Sequence, residues 1–173
     1  MARIVIVAML LLAVASGGLL YYNQVYAFYE EVDFVPDSVQ LTSVSTGEAE
    51  PIVVSAFQAI DADSSPLRYR ACFETQLSQA MLTETFVMVD VAEPRVAPGW
   101  FDCFDAAQIG ADLQTDAIAF MGVENIQYGI DRIVAIYPDG RGYSWHQINA
   151  CGEVVFDREP VPEGCPEPPE SLR

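Results

Sequence analysis

Lysine is absent from this chain, and all eight basic residues are Arg. Phosphate-loop nucleotide binding through Lys, Schiff-base catalysis and PLP attachment are therefore excluded. Positive charge is scarce altogether: 25 Asp and Glu against 8 Arg leave a formal charge of −17. A phosphate backbone needs a dense cationic patch, so nucleic acid is not an expected partner. Histidine occurs once, at His146, and the four cysteines contain no C-x-x-C. Neither a thioredoxin-type redox pair nor a zinc knuckle is written here, and no metal or cofactor is expected. Charged residues make up only 19% and apolar residues 51%, a composition that folds rather than stays disordered. The 173 residues give room for one ordinary domain with a tail at each end.

Charge is also missing from one long run. Ile4 to Tyr22 is 19 residues without a charged side chain. As a helix it spans ~28 Å, close to the hydrocarbon thickness of a bilayer. Arg3 precedes it, while Glu30, Glu31 and Asp33 follow, which orients the amino terminus to the cytoplasm and the remainder outside. Tyr21, Tyr22, Tyr26, Phe28 and Tyr29 crowd its exit, where amphipathic rings favour the headgroup layer. The expectation is a single-pass anchor through residues 4–22 in the cytoplasmic membrane, with the domain in the periplasm or extracytoplasmic space. The rival is a cleaved signal peptide ending at Ala13-Val14-Ala15.

Outside the cytoplasm, an even number of cysteines implies disulfides. Cys72, Cys103, Cys151 and Cys165 allow three connectivities. Closing the shorter loops favours Cys72–Cys103 and Cys151–Cys165, the second tying down a tail rich in Pro. Four buried, reduced thiols are the alternative.

The expected division is a transmembrane helix and polar stalk over 1–33, a domain over 34–159, and a Pro-rich tail over 160–173. Weak alternation marks a strand over Val39–Val44. A loop covers Thr46–Pro51, and β-branched residues mark a second strand over Ile52–Ile60. That strand forms a hairpin with Leu67–Glu74, where Tyr69, Ala71 and Phe73 face one way and Arg70 and Cys72 the other. Thr75–Phe86 has helical character, with Leu77, Met81 and Leu82 on one side, and Val87–Val91 fits a short strand. Asp105 can cap a short helix whose apolar face is Ala106, Ile109 and Leu113. A strand over Ala117–Met121 precedes the strongest one, Ile130–Tyr137, which pairs with Gly142–Ile148. A turn at Tyr137-Pro138-Asp139-Gly140 sets Arg132 opposite His146. A two-residue Asp-Gly turn would set Ile133 there instead. Cys151–Phe156 is expected as a final strand. Hairpins with few, short helices predict an α+β fold with a mainly antiparallel sheet behind the N-terminal transmembrane helix.

The run from Ile126 to Arg141, continuing through Trp145-His146-Gln147-Ile148-Asn149-Ala150-Cys151-Gly152, resembles an uncharacterised bacterial family of short, membrane-anchored proteins, a domain of unknown function. Gln24-Val25-Tyr26-Ala27-Phe28-Tyr29 resembles the same family. The resemblance implies an envelope location and carries no activity, cofactor or catalytic residue.

His146 is the one side chain whose ordinary pKa suits proton transfer near neutrality. A hydrolytic or small-ligand site would use His146 as base, Ser144 or water as nucleophile, Asp131 as orienter and Arg132 to hold an anion, with Tyr128 nearby. No G-x-S-x-G accompanies them, and a hydrogen-bonded sheet histidine explains His146 as well. Tyr128, Arg132, Tyr143, Trp145 and His146 are the candidate binding residues, although alternation sends half of a strand's residues into the core. Asp61 and Asp63 with Ser64 and Ser65 have Ca²⁺-type oxygens but read more simply as a turn. The leading expectation is a non-catalytic binding, assembly or sensing module with a membrane or envelope protein as partner.

Overall fold

A computed structural model describes residues 2–170. Helix α1 (Ala2–Tyr22) continues through a π-helical turn at Asn23–Ala27. The combined helix is long and apolar enough to cross a membrane and buries no residue in its apolar span. Eight strands follow: β1 (Glu30–Glu31), β2 (Gln40–Thr42), β3 (Ala49–Pro51), β4 (Ser55–Asp61), β5 (Arg70–Glu74), β6 (Ile118–Gln127), β7 (Ile130–Ile136) and β8 (Arg141–Ile148). Three short helices, α2 (Gln79–Thr85), α3 (Ala106–Asp112) and α4 (Ala150–Phe156), complete the domain. The main sheet is antiparallel throughout, in the order β1-β4-β5-β8-β7-β6, and β2 pairs with β3 separately. The α+β architecture is thus as expected.

Both sheet faces are covered, which the alternation along β5 foreshadows. Phe73, Phe120, Val134 and Ile136 pack on one side with Leu41, Ile52 and Leu82. Ile133, Ala135 and Trp145 pack on the other with Phe101, Phe104 and Ile109. Asp105 caps α3 as anticipated, its side chain accepting from the N–H groups of Ala107 and Gln108. Tyr137 and Gly140 close the β7–β8 turn, with Gly140 at φ +90° and its N–H donating to the Tyr137 carbonyl at 3.1 Å. Arg132 accordingly faces His146 and Ile133 faces Trp145.

Several expected elements differ. Cys151–Phe156 is not a strand but lies in α4, because Asn149 caps it: its Oδ1 accepts from the Gly152 N–H at 3.0 Å. Gly152 also packs backbone to backbone against Gly129 (φ +75°), where a Cβ on either would collide with the other. The polar stalk does not form. Glu30 and Glu31 turn back instead to pair with Asp61 and Ile60. The Thr46–Pro51 loop contains β3, so the following strand begins only at Ser55. Val87–Val91 makes a single bridge, Met88 to Phe120, and β6 runs on to Gln127. Met81 stands 39% exposed, while Leu82 alone of α2 is buried.

The disulfides pair Cys72 with Cys103 and Cys151 with Cys165. Denatured-state entropy gives about 3 kcal/mol for the shorter loop and about 4 kcal/mol for the longer. Replacing Cys151 and Cys165 together by Ser should lower the melting temperature less than replacing Cys72 and Cys103, read by circular dichroism.

Candidate functional site

The β7–β8 register brings Arg132, His146 and Tyr69 together on one sheet face. Arg132 Nε donates to His146 Nε2 at 3.0 Å. His146 Nδ1 lies 2.6 Å from the Pro66 carbonyl, so Nδ1 carries the proton and Nε2 is the acceptor. Tyr69 stacks on His146 with centroids 4.8 Å apart, and the Arg132 guanidinium sits 4.0 Å over the Tyr69 ring. His146 is buried, and burial first, then the Arg132 charge, lower its pKa to about 4. The imidazole is neutral at physiological pH, and both of its nitrogens are engaged. It functions here as a spacer that holds Arg132.

The other expected members go elsewhere. Ser144 is buried, its Oγ donating to the Ile133 carbonyl at 2.9 Å. Asp131 Oδ1 accepts from the Asn125 N–H and from Asn149 Nδ2, both at 2.8 Å. That network shapes the irregular β6–β7 turn and aims the Asn149 cap at α4. Tyr128 donates to the Pro166 carbonyl at 3.0 Å and so fastens the tail beside the Cys151–Cys165 bridge. Trp145 is wholly buried, its Nε1 without a partner among the described residues, and Tyr143 packs edge-on to Phe104 and Tyr137. Alternation explains this division, since Tyr143 and Trp145 face away from His146.

Around Arg132 a cleft of about 290 Å³ opens, lined also by Tyr69, Phe57, Asp33, Asp37 and Asp61. Burial of its carboxyl pushes the Asp61 pKa up, against the Ala62 N–H and the Arg132 charge. Among the described residues no group of three or more His, Cys, Asp or Glu is placed to hold a metal ion.

A second feature, missed in the sequence, lies at the helix exit. Trp100 Nε1 donates to the Val25 carbonyl at 2.6 Å, and Arg68 Nη1 donates to the Gln24 carbonyl at 3.2 Å. A helix end leaves its last carbonyls without intrahelical donors, and here the domain supplies them. Trp100 also stacks on Tyr26 at 6.4 Å and meets Tyr29 edge-on. The loop that bears Trp100 is held from behind by buried Arg70, which donates to the Arg95 and Val96 carbonyls at 2.6 and 3.1 Å. A tryptophan in a Pro- and Gly-containing loop was the available signal; its partner 75 residues upstream had none.

A family profile matches residues 39–166, from the strand before β3 to the tail residue that Tyr128 holds. The chain belongs to a family of unknown function, DUF6446. The DUF6446 match takes in the Arg132 cleft residues Tyr69 and Asp61, both disulfides and Trp100, and leaves out the apolar helix and β1. Neither a curated relative nor a solved structure matches the chain.

Because His146 has a folded pKa near 4 and an ordinary value near 6.5, the unfolded chain takes up a proton first as pH falls. The associated stability is present above about pH 6.5 and is lost progressively toward pH 4, by about 3 kcal/mol. His146→Gln should remove that part of the acid sensitivity, seen as a flatter dependence of unfolding free energy on pH in the variant than in the wild type across the window.

Proposed function

We propose that this protein is a single-pass, membrane-anchored and non-catalytic module that binds, assembles or senses outside the cytoplasm. Residues 1–33 form its anchor and connection, 34–159 its extracytoplasmic domain and 160–173 its tail. The amino terminus with Arg3 stays inside, and the acidic residues after the helix stay outside. The observation that carries this reading is the fastening of Val25 and Gln24 by Trp100 and Arg68. From Ile4 to Val25 a helix rises ~32 Å, about one hydrocarbon thickness. With Ile4 at one boundary, the Val25 carbonyl and Trp100 lie at the opposite headgroup layer, where tryptophan is favoured. Two disulfides fit an oxidising compartment. The engaged nitrogens of His146 favour the non-catalytic half of the reading. A protein partner in the same membrane or envelope belongs to the proposal.

A second reading, small-ligand binding at Arg132, is favoured by one specific fact. Arg132 is half-buried yet makes no ion pair, the Arg141–Asp139 pair at 2.7 Å being the one among the described residues.

In cells making the full chain, carbonate washing should leave the protein in the membrane fraction, and protease added outside should digest the domain. A soluble product beginning after Ala15 would overturn the anchor. Trp100→Ala should expose the 23–29 connection to cleavage roughly tenfold faster, since it removes a hydrogen bond and a ring stack. An unchanged cleavage rate would show that the fastening has no mechanical role.

A further inference from the structure

The cleft beside Arg132 brings two unmet polar groups to one place. The Arg132 guanidinium is fixed by His146 at Nε and by the Tyr69 ring beneath it. Its two terminal nitrogens have no hydrogen-bond partner among the described residues. Tyr69 is 2% exposed and lines the same cleft, and its hydroxyl likewise has no partner among the described residues. The ring is packed away while the residue lines the cleft, so the hydroxyl is free to donate to a ligand there. A carboxylate can accept from a guanidinium fork and from a phenol together.

The rim has the opposite sign. Asp33, Asp37 and Asp61 line the cleft with Arg132 as the one cation. A simple anion would meet three carboxylates, and a simple cation would leave Arg132 unpaired. The carboxylates are too dispersed to chelate, since no metal-holding cluster occurs among the described residues. Phe57, Val32 and Val35 supply apolar wall. The volume, about 290 Å³, lies at the small end of ligand sites.

We propose that this cleft binds a small zwitterion of the α-amino-acid class, its carboxylate on Arg132 and Tyr69, its ammonium on the aspartate rim and an apolar side chain against Phe57. The inference rests on the second reading, that Arg132 serves a ligand, and adds the ligand's chemistry. His146 and the Pro66 carbonyl hold the guanidinium ready, so little side-chain ordering is left for binding to supply.

The test is calorimetric titration of the full-length protein in detergent micelles with L-valine, and with isobutyrate and isobutylamine as its two halves. L-valine should bind saturably, and each half at least about tenfold more weakly. Arg132→Gln should weaken L-valine about tenfold or more. Tyr69→Phe keeps the ring stack and loses only the hydroxyl, so it should weaken binding about fivefold with an unchanged melting curve. Isobutyrate binding as tightly as L-valine, and lost in Arg132→Gln, would overturn the zwitterion while leaving Arg132 a ligand residue. No binding of any probe, or L-valine binding unaltered in both variants, would overturn the proposal and the second reading together.

Discussion

The four-residue turn from Tyr137 to Gly140 governs what the rest of the sheet can do. It sets Arg132 against His146 and Ile133 against Trp145. Side chains alternate along a strand, so a slip by one residue would exchange the two faces. Ile133 would then lie opposite His146 on the cleft face, and Arg132 would be driven to the face of Trp145, among Phe104 and Ile109. The Trp145 packing on one face and the Arg132–His146 cluster on the other are both consequences of the same register.

Two of the arginines, Arg68 and Arg70, serve as donors to carbonyl groups. Arg70 reaches four backbone carbonyls, and Arg68 reaches the carbonyl and side chain of Gln24. A guanidinium carries five donors in a rigid fork and keeps its charge when buried, whereas an ammonium is compact and more strongly hydrated. Burial does lower the Arg70 pKa, to about 10, which leaves it cationic at neutral pH. In a chain with so few cations, buried Arg70 fixes the Trp100 loop, and half-buried Arg68 and Arg132 fix the helix exit and the cleft.

Local patterns were readable where local physics decides. The β7–β8 hairpin, the Asp105 cap and both disulfide pairings follow from turn chemistry, an oxygen acceptor before a helix and loop length. Cys151–Phe156 was misread because its helix depends on the Asn149 cap and on Gly129 making room for Gly152. Alternation foretold that some of Tyr143, Trp145 and His146 would be inward, but not that Arg132 would engage both the imidazole of His146 and the ring of Tyr69. Trp100, Tyr69 and the aspartate rim come from segments far apart in sequence, so nothing in their immediate neighbours announces the meeting.

The outermost strand of the sheet, β1, is only two residues long, and both are glutamate. At the far side, the Val87 carbonyl accepts from the Met121 N–H and the Val89 N–H donates to the Ala119 carbonyl, so much of the β6 margin is already occupied. Unpaired strand margins recruit further strands and seed aggregation. One margin here is short and negatively charged and the other is partly masked. The domain can therefore be crowded beside its own copies without the sheets joining end to end.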